Sequence, residues 1–485
     1  LNSGGAERIG GLLSKKLSDC YNVYLFLFST ENVIYEYGGT IIDIGQLGPF
    51  YEYQIKFYKE LYKIDIAISF LEIMNFANIR SRGREKVIIS ERCVQSLIRP
   101  TLVSQEVKIR RYYNFADEII SCSEGVKHDL LYNYAVNNKI TTIYNFINKE
   151  TILSKSCENL PEEIKEFLNG SEFFINVGRL HPQKNQKRVI LQFFYFHKTN
   201  QNKKLLILGS GELEEELLLY IAELGLNDSV KIIPYTKNPF LYIAKAKALI
   251  LSSHYEGLPN VILEAMILNC PIIAVDCLAG PRELLMDEMN YERSLDALEI
   301  GKRGILVCDN VTEDNGTTKY MARAMELLCS SDLLAIDFIR HGQAYMENYM
   351  NHKLAEKWIQ VIEDSEIKSQ ANVLAGEENI LHSVKYIVIY GAGLVGKNIF
   401  LTLSKQYKID SFVVSKHQTD ERNIFGVPIR EISELTYNPK DTAVIIGVND
   451  TFQDEVIFTL QKNGFMQYVF PYVEPLVYND KISML

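Results

Sequence analysis

No stretch of the 485-residue sequence approaches the roughly 18 uncharged apolar residues of a membrane span. No signal peptide opens it, so a cytoplasmic protein is expected. The eight cysteines, at 20, 93, 122, 157, 270, 277, 308 and 329, make no C-x-x-C and no tight pairing with histidine. Neither a zinc site nor a disulfide framework is suggested, which leaves most of the thiols as small buried hydrophobes. Basic charge is not in excess either, and a net charge of −10 argues against nucleic acid as the main partner.

What is present is apolar residue at 47% against 23% charged, the balance of a globular protein too long for one hydrophobic core. One stretch departs from the acidic average. Residues 80–111 hold nine cations (Arg80, Arg82, Arg84, Lys86, Arg92, Arg99, Lys108, Arg110, Arg111) against Glu85, Glu91 and Glu106. It reads as a solvated basic face or as a surface for an anionic membrane or pyrophosphate-bearing acceptor, which would place Glu91, Arg92, Arg110 and Arg111 on the acceptor or membrane side.

Strand-like apolar runs alternate with helical periodicity, the pattern of open α/β sheets with parallel strands. Candidate strands lie at 23–28, 66–70, 87–90 and 118–122, and a second series at 173–177, 205–208, 230–233, 248–251, 272–275 and 304–307. Residues 150–170 read as a linker with a short helix, 346–364 as a helix and 365–380 as a polar linker. A third α/β unit begins near Lys385, with strands at 386–390, 411–414 and 443–447.

Chemistry concentrates at strand ends. Glu256 and Glu264 bracket Gly257, Leu258 and Pro259 where the 248–251 strand gives way to a helix, with Glu256 at its entrance and Glu264 about one and a half turns inside. Carboxylates accept from sugar hydroxyls, while free N–H groups at a helix N-terminus bind phosphate. Helix capping and a solvent-facing glutamate are the ordinary alternatives. Arg179 and Lys184 follow the 173–177 strand and set two cations where α/β sheets bind ligands. Gly209 precedes Glu212 in a further turn, and Gly4 and Gly5 open the first helix, with an N-cap by Ser3 as the simpler reading.

Taken in order, GGAER at 4–8, ADEIISCSEGVKHDL at 116–130, IYNFI at 143–147, VGRLHPQKNQ at 177–186, EGLPNVILEAM at 256–266 and GPRELL at 280–285 resemble glycosyltransferase family 4 over roughly residues 1–364. These are retaining, nucleotide-sugar-dependent enzymes of the GT-B fold, which pairs two Rossmann-like domains. The resemblance implies an acceptor-side domain over 1–160, a donor-side domain over 161–345 and a helix over 346–364 that crosses back. Arg179 and Lys184 would hold the donor diphosphate and Glu264 the ribose. Glu256 with the backbone after Gly257 would hold the transferred sugar, and Glu212 and the Thr236 region would lie near the nucleoside. No cofactor and no metal are required, and no D-x-D motif is evident. The implied partners are a nucleotide-diphosphate sugar, most naturally a UDP-sugar, and a lipid-linked glycan acceptor met at the inner membrane face by peripheral contact. A protein or teichoic-acid-type acceptor is the alternative. Two features depart from the family pattern: Arg92 stands where many relatives have histidine, and the sequence starts inside the glycine loop that a strand precedes in relatives, so that either the chain is truncated or its sheet is one strand short.

Residues 381–485 resemble the small Rossmann-like units that open certain bacterial sugar acyltransferases. Gly391, Gly393 and Gly396 fit a dinucleotide-type glycine turn. The acid expected about 20 residues on is replaced by Ser415, Lys416 and His417. A ligand-binding or assembly accessory is therefore expected, with a nucleotide there and a homo-oligomer through this unit left open. An NAD(P)-dependent oxidoreductase and a noncatalytic nucleotide-binding scaffold are the remaining function classes.

Overall fold

The structure, a computed structural model, describes the chain except residues 1–3, 32, 46–50, 99–102, 278, 287–290, 292–294, 310–318, 350–352, 365–379, 417–421, 449–451 and 471–485. The linker expected at 365–380 falls almost wholly outside the described residues, as do Ser3, Arg99 and His417.

Three α/β units are present, each built on a parallel sheet. In the second unit the sheet order is Leu298–Ile300, Ile305–Val307, Ile272–Val275, Ala248–Leu251, Phe173–Val177, Lys204–Leu208, Val230–Ile233. Only the edge pair Leu298–Ile300 with Ile305–Val307 is antiparallel. Helices cover both faces, so Ala248–Leu251 and Ile272–Val275 are buried at every residue, which is why they read as unbroken apolar runs. From Phe173–Val177 the chain winds outward through Lys204–Leu208 to Val230–Ile233, then returns to place Ala248–Leu251 on the other side. The crevice between Phe173–Val177 and Ala248–Leu251 is thus the topological switch point, where ligands bind in such sheets.

The first unit has a sheet in the order Ile66–Phe70, Lys86–Glu91, Glu118–Ser121, Ile140–Thr142, and a separate parallel pair of Tyr24–Leu27 with Thr40–Asp43. The helical stretch near 346–364 is two helices, Asp332–Tyr349 and Lys353–Asp364. The second lies on the first unit: Trp358 is 1% exposed with its ring 6.0 Å from Phe70, and Lys86 Nζ donates to the Val361 and Ile362 carbonyls.

The third unit has the order Asn423–Ile424, Val427–Glu431, Ser411–Val414, Tyr386–Tyr390, Thr442–Ile446, Tyr468–Val469. Its helix Gln453–Lys462 packs on Val103–Tyr112 of the first unit, and Ile109 and Tyr112 share a buried cluster with Val456, Ile457 and Leu460. Arg80 and Tyr112 both donate to the Phe470 carbonyl.

Candidate functional site

Two loops meet at the switch point and are stitched together by their own backbones. After Phe173–Val177 the chain turns through Arg179 into a short 3-10 turn, Pro182–Lys184, and Asn185 in the left-handed region caps the helix Gln186–His197. Ser252 Oγ donates to the Lys184 carbonyl at 2.6 Å, His254 N to the Gln183 carbonyl at 2.9 Å, and Gln183 Nε2 to the Tyr255 carbonyl at 2.9 Å. The stitching aims Lys184 at Glu256, with Nζ 2.6 Å from Oε1. Arg179 has no ion pair among the described residues.

Pro259 is the N-cap of the helix Asn260–Ile267, and Glu264 lies on it, buried. Arg8 of the first helix, Gly5–Leu17, reaches across from the first unit to bond Glu264 Oε1 through Nη1. Burial opposes the charge on Arg8, yet the Glu264 carboxylate more than offsets it, and the guanidinium holds its proton more tightly than usual. Each glutamate thus gives one oxygen to a cation. Among the described residues Glu256 Oε2 and Glu264 Oε2 have no partner, so each is available to a hydroxyl donor. Gly4 is the helix N-cap with no side-chain cap, and Gly5 lies over the Asn260 amide, where an added Cβ would meet Nδ2 at 3.5 Å.

The turn glycines are set by close packing. A Cβ on Gly209 would stand 1.9 Å from the Gly178 carbonyl oxygen, and one on Gly257 would stand 2.0 Å from that of Arg92. The Gly257 contact joins the two units, since Leu258 and Pro259 follow it while Arg92 immediately follows the first-unit strand Lys86–Glu91. Glu212 is exposed, with its carboxylate 3.9 Å from His181 Nε2, while half-buried Thr236 accepts from Asn238 N at 3.2 Å.

The first unit answers with polar groups at its own strand ends. Arg92 donates to Asn145 Oδ1, and Asn145 Nδ2 donates to Asn260 Oδ1 at 2.6 Å and to the Leu258 carbonyl at 3.1 Å. Glu283 accepts from Gly125 N at 2.6 Å and Glu124 N at 3.0 Å, a carboxylate on the N-terminus of the helix Glu124–Tyr132. Burial pushes that carboxyl up despite both bonds. Glu91 is fully buried, accepting from Tyr113 Oη at 2.6 Å, Gln95 Nε2 at 2.8 Å and Arg92 N at 2.9 Å.

The basic face expected over 80–111 is corrected by these contacts. Arg82 Nη2 donates to both carboxylate oxygens of Asp117 at 2.8 Å, Lys86 caps a helix end, Arg80 pairs with Glu52, and buried Glu91 has no place on a membrane surface. Arg111 lies over the Phe470 ring of the third unit and Arg110 pairs with Glu106 in solvent. In the third unit, Gly391 has φ +112° and a Cβ on Gly396 would stand 1.9 Å from its carbonyl oxygen, so this turn too is required by strand-to-helix packing. Gly393 caps the helix Leu394–Leu403, and Tyr390 Oη meets Ser415 Oγ at 2.6 Å where a ribose-binding acid would be needed.

The family described as glycosyl transferases group 1 matches residues 161–291, the unit that carries both loops. An uncharacterised glycosyltransferase of Methanocaldococcus jannaschii is 36% identical over 196 residues, 40% of this chain and 48% of that protein, so the chain spans about half of that relative's length. A relative from Campylobacter jejuni, named N-acetylgalactosamine-N,N'-diacetylbacillosaminyl-diphospho-undecaprenol 4-alpha-N-acetylgalactosaminyltransferase, is 30% identical over 59% of this chain and 82% of its own length. The chain belongs to the group 1 glycosyltransferases.

Its fold agrees with that membership. Anabaena HepE, solved with UDP and glucose, superposes with a TM-score of 0.57 at 16% identity, over 75% of this glycosyltransferase and 97% of its own chain. The two facing units are therefore a GT-B pair. The motifs around Arg8, Asn145, Asn260 and Glu283 are visible in the sequence of the glycosyltransferase, but nothing local singles out these side chains. Their partners lie more than a hundred residues away, and no local spacing signals a contact of that range.

Proposed function

We propose that this glycosyltransferase moves a sugar with retention of configuration from a UDP-sugar to a lipid-linked glycan in the assembly of a bacterial surface polysaccharide. The observation that carries the reading is the Lys184–Glu256 pair at the switch point, with Glu264 eight residues further along the same segment. The Campylobacter relative's name supports a lipid-diphosphate-linked acceptor, and the Anabaena neighbour supports UDP as the nucleotide.

In this reading Arg179, Lys184 and the N-terminus of Asn260–Ile267 hold the donor diphosphate, and Glu264 accepts from the ribose hydroxyls. Glu256 and the backbone at Gly257, Leu258 and Pro259 hold the transferred sugar. Gly209, Glu212 and Thr236 border the nucleoside, and Gly4 and Gly5 approach from the first unit. The bond from the anomeric carbon to the diphosphate oxygen breaks, an acceptor hydroxyl oxygen bonds the same carbon from the same face, and its proton passes to the departing diphosphate. Negative charge grows on that leaving group, and fixed cations in a closed cleft stabilise it without reorganising. The chemistry needs no bound metal, and the third unit serves as an accessory to the first.

A thermal-shift screen across UDP-, GDP-, ADP- and dTDP-sugars tests the donor, since a ligand that binds the folded state raises its melting temperature. Glu256→Ala and Lys184→Ala should each lower turnover by roughly a hundredfold or more with the fold intact. Normal turnover in either variant would sink the assignment.

A further inference from the structure

Arg8 is contributed by the first unit, yet its charge is received wholly by the second. Its guanidinium bonds Glu264 and lies 5.9 Å from the centre of the Phe240 ring, and the two charged side chains are 24% and 6% exposed. A carboxylate this buried is costly to leave without a counter-charge. Separation of the units would take the cation from Glu264 and return it to water, and closure would re-form the pair. Arg8 also sits one turn along the helix from Gly5, which lies over Asn260 at the N-terminus of the helix that carries Glu264. The pair therefore fixes the glycine turn over that helix end and sets the direction of the Glu264 carboxylate at once. Because Arg8 takes Oε1 alone, Oε2 stays available to a hydroxyl donor.

We infer that Arg8 is a positioning residue of the donor site, holding Glu264 from across the cleft so that nucleoside binding and closure of the first unit reinforce each other. The inference rests on the donor reading above. It requires Arg8 to act through the ribose end of the donor and not through the diphosphate, which Arg179 and Lys184 serve.

Calorimetric titration of the full chain with UDP, and with inorganic pyrophosphate as competitor, separates these roles in wild type, Arg8→Ala and Arg8→Lys. Trp358 emission verifies that each variant is folded. The expected result is a UDP Kd raised about tenfold or more in Arg8→Ala, with pyrophosphate binding unchanged and Arg8→Lys in between. X-ray scattering should show the wild-type radius of gyration falling on UDP addition and that of Arg8→Ala failing to follow. An unchanged or lower UDP Kd in Arg8→Ala overturns the inference, as does an equal loss of UDP and pyrophosphate. If the wild-type chain binds UDP and Arg8→Ala matches it, only the inference falls. If the wild type binds no nucleoside diphosphate, the donor reading falls and takes the inference with it.

Discussion

Glu91 gives the protein a stability that depends on pH in a stated direction. Its carboxyl ends the strand Lys86–Glu91, fully buried, and is pushed up to about 7, first by burial and then by the nearby Glu72 carboxylate. Hydrogen bonds from Tyr113, Gln95 and the Arg92 amide pull the other way and do not cancel the shift. The folded state therefore keeps a proton that the unfolded chain gives up at a lower pH. Below about pH 4.5 the group is protonated in both states and its contribution is fully present. Between there and about 7 the fold binds more protons than the unfolded chain, so stability falls as pH rises. Above 7 both states are ionised and the loss levels off, at up to about 3 kcal/mol.

Glu91→Gln removes the titration while keeping the shape. It replaces the carboxyl acceptor of the Tyr113 hydroxyl with an amide oxygen, a change of about 1 kcal/mol. Relative to wild type, the variant should thus gain about 3 kcal/mol between pH 4.5 and pH 8. Urea unfolding followed at the single tryptophan reads this directly: Trp358 packs on Phe70, whose strand Ile66–Phe70 is hydrogen-bonded to Lys86–Glu91. The other titrating groups are common to both proteins and cancel in the difference. Parallel pH curves for the two proteins, or a variant that loses stability relative to wild type as pH rises, would refute the burial argument.

Gly257→Ala should leave both units folded and lower turnover by about a hundredfold, because its Cβ would stand 2.0 Å from the Arg92 carbonyl oxygen and hold the cleft open. Unchanged turnover with an unchanged urea midpoint would show that this contact is not made during catalysis. Asp117→Asn takes the counter-charge from the buried Arg82 guanidinium and should cost about 3 kcal/mol in urea unfolding without altering UDP affinity while the protein stays folded. A loss below about 1 kcal/mol would return Arg82 to the surface-charge reading.

Legibility in the sequence followed burial. Strands covered on both faces, such as Ala248–Leu251, announced themselves as apolar runs, and so did the glycine and proline turns that end them. Short or half-exposed strands did not: Thr40–Asp43 is exposed at both ends, and Leu298–Ile300 and Tyr468–Val469 hold three and two residues. The loops that carry Glu256, Glu264, Arg179 and Lys184 are visible in the sequence because they lie at neighbouring strand ends. Arg8 is not, since its partner is 256 residues distant. The basic stretch shows why charge alone misleads. A run of cations looks like a surface when counted along the chain, but the direction of each side chain is set by what the backbone leaves unsatisfied. Lys86 points at the Val361 and Ile362 carbonyls in the last turn of Lys353–Asp364, where a helix has orphaned acceptors and the negative end of its dipole. The same cation that suggested a membrane instead fastens the returning helix to the first unit.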